Sequence, residues 1–163
     1  MLSIRNLVFV LVGTIILFMM IYLIAYTQPK ITFISSISTL DKQSYDKLAK
    51  KQETPRDKNI ENFKDVEILL KIDTPILLIK ELNIDRSYLE SYLMDNPRIK
   101  VLDAKSSGNP NSKKSQESLK IHLNNISENE LKNYLKDFKI AITWKDIVGN
   151  KNKQILYVTD HLN

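Results

Sequence analysis

The chain has 163 residues, a formal net charge of +5 and no cysteine. That length suits one anchor plus one small domain, and the missing thiols exclude disulfides, thiolate metal sites and cysteine nucleophiles. Lys, Ile and Asn make up about a third of the chain, a bias matching AT-rich bacterial coding, so single lysines carry little information.

Leu7 to Tyr26 is a run of uncharged, almost wholly apolar residues broken only by Gly13 and Thr14. At about 1.5 Å of rise per residue, such a helix spans roughly the 30 Å hydrocarbon core of a bilayer. Leu7, Phe9, Leu11, Ile15, Phe18, Tyr22 and Tyr26 are read as membrane-spanning, with the two tyrosines at headgroup level. The run exceeds the apolar core of a cleaved signal, and Ala25-Tyr26-Thr27 is a poor cleavage site, so an uncleaved single-pass anchor is expected. The short basic start, with Arg5, favours an extracytoplasmic domain, although cations near the span slightly favour the opposite side.

Ile31, Ile34, Ile37 and Leu40 recur every three residues, which reads as a juxtamembrane continuation of the anchor. Residues 41–65 hold seven basic and six acidic side chains with few large apolar ones, a charged linker or marginal helix. The expected β-rich domain therefore runs over 66–163. Its predicted strands are Val66–Ile72, Ile76–Leu82, Arg98–Asp103, Leu119–Leu123, Lys139–Trp144 and Gln154–Val158.

Two helices interrupt these strands. Asp85 is the expected N-cap of the first, with Ile84 and Leu89 as its staple and Asn96-Pro97 ending it. In the second, Ser127 and Glu130 form a capping box, and Ile126 and Leu131 the staple. The stretches resemble each other at a constant offset of 42: Leu89, Tyr92 and Leu93 match Leu131, Tyr134 and Leu135. A repeated β-α-β unit is how a ferredoxin-like sheet is built.

Lys139 to Trp144, followed by Asp146 and Gly149 in an aromatic-x-Asp-x-x-Gly turn, resembles the closing strands of an immunoglobulin-like β-sandwich. Such sandwiches occur in small membrane-anchored bacterial proteins of unknown function. The resemblance covers about sixty residues and implies no catalytic residues. The sandwich uses all six predicted strands and is the preferred fold; a ferredoxin-like α+β fold with extra strands is the alternative.

Fifteen basic and thirteen acidic residues are spread over 66–163, and only Lys113-Lys114 is clustered, so no nucleic-acid partner is expected. His122 and His161 have no companion at metal-ligand spacing and read as surface residues. Asp73, Asp103, Asp146 and Asp160 fall at strand ends, where ordinary turn chemistry places acids. No phosphate loop or nucleophile motif exists, and neither cofactor nor metal is expected.

The sequence thus points to a non-enzymatic accessory or assembly protein. It would hold its domain near the bilayer to contact another membrane or envelope protein. Ser106, Asn109, Lys113 and Lys114, in the loop Ser106 to Gln116, are the candidate interaction residues. A membrane-tethered sensor or immunity-type ligand-binding module is the alternative. A hydrolase using the strand-end carboxylates stands third.

Overall fold

A computed structural model describes residues 4–26, 28–50, 59–74, 79–146 and 149–162. The elements in chain order are α1 (Ile4–Tyr26), β1 (Lys30–Thr39), α2 (Lys42–Lys50), β2 (Phe63–Asp73), β3 (Ile79–Asp85), α3 (Leu89–Met94), β4 (Ile99–Ser107), β5 (Lys114–Leu123), α4 (Glu128–Leu135), β6 (Lys139–Asp146) and β7 (Lys151–Tyr157). Short 3-10 turns lie at Ile60–Asn62 and Val158–His161. Pro75 and the first three residues of the expected strand Ile76–Leu82 lie outside the described residues.

α1 is a 23-residue helix whose side chains from Val8 to Tyr22 are exposed. The Thr14 hydroxyl donates back to the Val10 carbonyl, so that polar group is satisfied within the helix. Side chains are described without interruption only over 8–22, about 22 Å of helix. Counted over the described residues, no helix is long and apolar enough to cross a membrane. Leu7 and Tyr26 belong to α1, but their side chains lie outside the described ones.

The strands form two antiparallel sheets, one ordered β1-β2-β5-β4 and the other β3-β6-β7. Both contribute to one core. Phe33, Ile68, Leu70 and Ile121 come from the first sheet, and Ile84, Ile140, Ile142 and Trp144 from the second. Leu89, Leu93, Leu131 and Leu135 from α3 and α4 complete it. Along β2 and β6 the buried apolar positions alternate, as in Val66, Ile68, Leu70 and Ile72 or Ile140, Ile142 and Trp144, which sets the pairing register.

Lys30–Thr39 differs from its expected role. It is a ten-residue strand paired with β2 from Lys30↔Asp73 to Thr39↔Lys64. Phe33, Ser35 and Ile37 point inward, while Ile34 is exposed. The inward Ser35, whose hydroxyl donates to the Val158 carbonyl at 2.7 Å, interrupts the apolar alternation and leaves a false period of three. Leu162 also bridges β1 at Ser35, so the C-terminal segment lies against this edge strand.

The charged segment after β1 is also structured. α2 lays Tyr45 and Leu48 over Leu40, Phe63 and Leu102 in a second small core on the outer face of the four-stranded sheet. His122 points to that outer face, as alternation requires, but it is buried and not a surface residue. Its ring stands 4.8 Å from that of Phe63. A short helix with two apolar anchors carries too weak a pattern to be read reliably without its partner sheet.

The two helices inside the domain connect strands of different sheets. β3-α3-β4 passes from the three-stranded sheet to the four-stranded one, and β5-α4-β6 passes back. The internal similarity therefore belongs to two crossings between sheets and not to one ferredoxin-like sheet. Ser127 caps α4 with the expected box. Asp85 does not cap α3, because it is the last residue of β3. The Leu89 N–H instead donates to the Glu117 carboxylate of β5, at 2.8 Å.

Candidate interaction surface

The hairpin between β4 and β5 holds the four expected interaction residues. Ser106, Asn109, Lys113 and Lys114 are all exposed. The hairpin is nevertheless held at several points. Gly108 has φ +81, and a Cβ there would stand 2.5 Å from the Lys114 carbonyl oxygen. The Asn109 side chain accepts from the Asn111 N–H at 2.9 Å, and the Lys113 ammonium donates to the Thr74 hydroxyl at 2.8 Å.

Beneath this hairpin lies a buried ion pair. Arg86 approaches Glu117 at 2.9 Å, with side-chain exposures of 0% and 4%. Arg86 Nε donates to the Pro110 carbonyl at 2.9 Å, and its terminal nitrogen donates to the Ser115 hydroxyl at 2.8 Å. Burial pushes the Glu117 carboxyl up, against the opposing pull of the Leu89 N–H and Arg86. Burial likewise pushes Arg86 down. The pair ties hairpin, α3 and β5 together and faces the interior, so its role is architectural.

The outer face of the three-stranded sheet is open. Register places Lys139 opposite Tyr157, Ala141 opposite Ile155, Thr143 opposite Lys153 and Lys145 opposite Lys151. Ile155 and Tyr157 are exposed, giving an apolar end and a basic end to one ladder. The two ends meet at Thr143, beside Asn83 of β3.

At the basic end the edge strand is distorted. The β3–β6 register shifts between Lys80 and Asn83, and Glu81 adopts φ 51. For a residue with a long side chain this left-handed backbone is strained, and bulges of this kind re-aim side chains at sheet edges. Glu81 is thereby brought into an ion pair with Lys145. A hollow of about 520 Å³ opens here, lined by Glu81, Asn83, Thr143, Lys145, Lys151 and Lys153, among others.

None of these hollow-lining residues carries a motif. The one available signal is the turn from Asp146 to Asn150: pairing the chain outward from it sets Lys145 against Lys151. Asp146 accepts from the Asn150 N–H at 2.8 Å and from its side-chain amide at 3.0 Å, and Gly149 has φ +96.

The expected strand-end acids fall in separate places: Asp73 ends β2 and pairs with Lys71, Asp103 sits at a register shift in β4, Asp146 closes the β6–β7 turn, and Asp160 lies in the final 3-10 turn. Among the described residues no group of three or more His, Asp or Glu side chains could hold a metal ion. The side chain of His161 lies outside the described ones. No protein-family model matches the chain, and no curated protein or solved structure matches it significantly.

Proposed function

We propose that the protein is a single-pass membrane-anchored accessory module in which an immunoglobulin-like sandwich contacts another membrane or envelope protein. The observation that carries this reading is the junction between helix and domain. α1 ends at Tyr26 and β1 begins at Lys30, leaving at most about 14 Å of extended chain between them. A helix with an exposed apolar surface is thus continuous with a folded domain, and water is a costly solvent for that surface. Its full 23 residues correspond to about 34 Å, enough to cross a hydrocarbon core.

The sandwich assignment is supported by the strand order. β1-β2-β5-β4 against β3-β6-β7 follows the ABED and CFG sheets of an immunoglobulin constant-type domain. With no cysteine, no disulfide joins the sheets, and they share one apolar core. The contact surface is the open face of the three-stranded sheet, where Ile155 and Tyr157 are exposed. An extracytoplasmic domain remains the favoured orientation.

The test is photo-crosslinking from position 155 in intact membranes, with alkaline extraction of the same membranes. The reading requires the chain to stay in the alkaline pellet and position 155 to link to a discrete second protein. Release into the supernatant removes the anchor; a pellet-bound chain without a crosslinked partner removes the contact surface.

A further inference from the structure

We propose that the hollow at the basic end of the three-stranded sheet is a binding site for a phosphorylated ligand. This inference is independent of whether α1 enters a bilayer. Lys145 and Lys151 stand directly opposite each other across β6 and β7, and Lys153 follows two residues along on the same face. Like charges in directly opposed cross-strand positions are destabilising. Glu81 pairs with Lys145, while Lys151 and Lys153 have no ion-pair partner among the described residues. An anion seated beside Lys151 and Lys153 neutralises the two cations that Glu81 leaves uncompensated.

The surrounding groups extend the case beyond charge. Asn83 supplies an amide donor and Thr143 a hydroxyl, both lining the same hollow, whereas the Asn152 amide already donates to the Asn150 carbonyl at 3.1 Å. A phosphate ester presents several acceptor oxygens, which suits many donors converging on one place. A single carboxylate would leave much of the donor set unused. The space, about 520 Å³, also holds the body of a ligand and not only its charged group. Finally, the strained backbone at Glu81 falls at this hollow, and strain of this kind clusters at ligand sites.

Binding is read by calorimetry, because the only tryptophan in the chain, Trp144, packs into the core on the face of β6 opposite Thr143 and Lys145. The full-length chain in neutral detergent is titrated at constant ionic strength with glycerol phosphate, inorganic phosphate and acetate. Glycerol phosphate should give a saturable change, with at least about tenfold weaker binding for acetate. Lys151→Gln and Lys153→Gln should each weaken glycerol phosphate binding by about tenfold, whereas Lys100→Gln on β4 should leave it unchanged. Inorganic phosphate saturating with the same affinity assigns recognition to the phosphate group; weaker saturation adds recognition of the ester body. The proposal is overturned by no saturable change with either phosphate, by equal affinity for acetate, or by Lys100→Gln weakening binding as much as Lys151→Gln.

Discussion

Tyr92 and Tyr134 hydrogen-bond each other's backbone: each phenol donates to the other's carbonyl oxygen at 2.9 Å, with ring centroids 4.9 Å apart. Each tyrosine belongs to one of the two similar segments, and the reciprocal bonds join α3 to α4 across a local pseudo-twofold relation. Burial pushes both phenols up, so the donors stay protonated well above neutral pH. Removing either hydroxyl should cost about 1 kcal/mol, the worth of one part-buried hydrogen bond. Tyr92→Phe and Tyr134→Phe should couple in a double-mutant cycle, since the two bonds hold the same pair of rings and helices in register. Denaturant unfolding of the four variants checks this, and strict additivity would count against the clasp.

The buried Arg86–Glu117 pair makes a sharper prediction. Glu117→Leu leaves a guanidinium without its counter-ion and the first N–H of α3 without its acceptor. The loss should reach about 3–5 kcal/mol, as when one partner of a buried pair is removed. Combining Arg86→Met with Glu117→Gln should recover much of it, because the amide oxygen still accepts from Leu89 and no charge is stranded. Melting temperatures of the single and double variants distinguish these outcomes.

These contacts show which parts of the fold were legible in the chain. The α4 capping box was readable because all its atoms lie within four residues. The strands with unbroken alternation, such as Ile140, Ile142 and Trp144, were readable because burial repeats every second residue. β1 was hidden by Ser35, an inward polar residue whose partner, Val158, lies 123 positions away. The cap of α3 is hidden for the same reason: the acceptor is Glu117 of another strand, and nothing near Asp85 reveals it. The basic hollow needed a hairpin register before Lys145 and Lys151 became neighbours.

Acid should loosen α4 before the core. Glu128 bridges Lys132 and the buried Lys64, each at 2.7 Å, and these cations, Lys132 foremost, hold its carboxyl below the usual range. The Ser127 N–H and hydroxyl do the same for Glu130. A carboxyl depressed in the folded state contributes stability that is fully present above its unfolded value, about 4.3 for Glu, and lost as pH falls through the folded one. Glu128→Gln should therefore cost about 1–2 kcal/mol at pH 7, less than a fully buried pair because Glu128 is about a third exposed. The difference from the parent should shrink below pH 4 in urea titrations; a pH-independent difference would refute the linkage.

The domain boundary can be tested by truncation. A fragment of residues 66–163 corresponds to the β-rich stretch expected from composition, but it lacks all of β1, α2 and the first three residues of β2. It loses Phe33 and Ile37 from the main core and uncovers the inner edge of β2, whose hydrogen bonds β1 supplies. Leu40, Leu48 and Phe63 go as well, leaving His122 and Leu102 without their cover. Large-to-small changes at single core sites cost about 2–5 kcal/mol, so losing five buried side chains exceeds the about 5–15 kcal/mol that holds a small domain together. The fragment should give collapsed amide dispersion in a proton–nitrogen correlation spectrum and no cooperative melt. A fragment of residues 28–163 retains every strand and should melt cooperatively. If 66–163 alone unfolds in a sharp transition with dispersed amides, β1 is an accessory edge and not part of the folding unit.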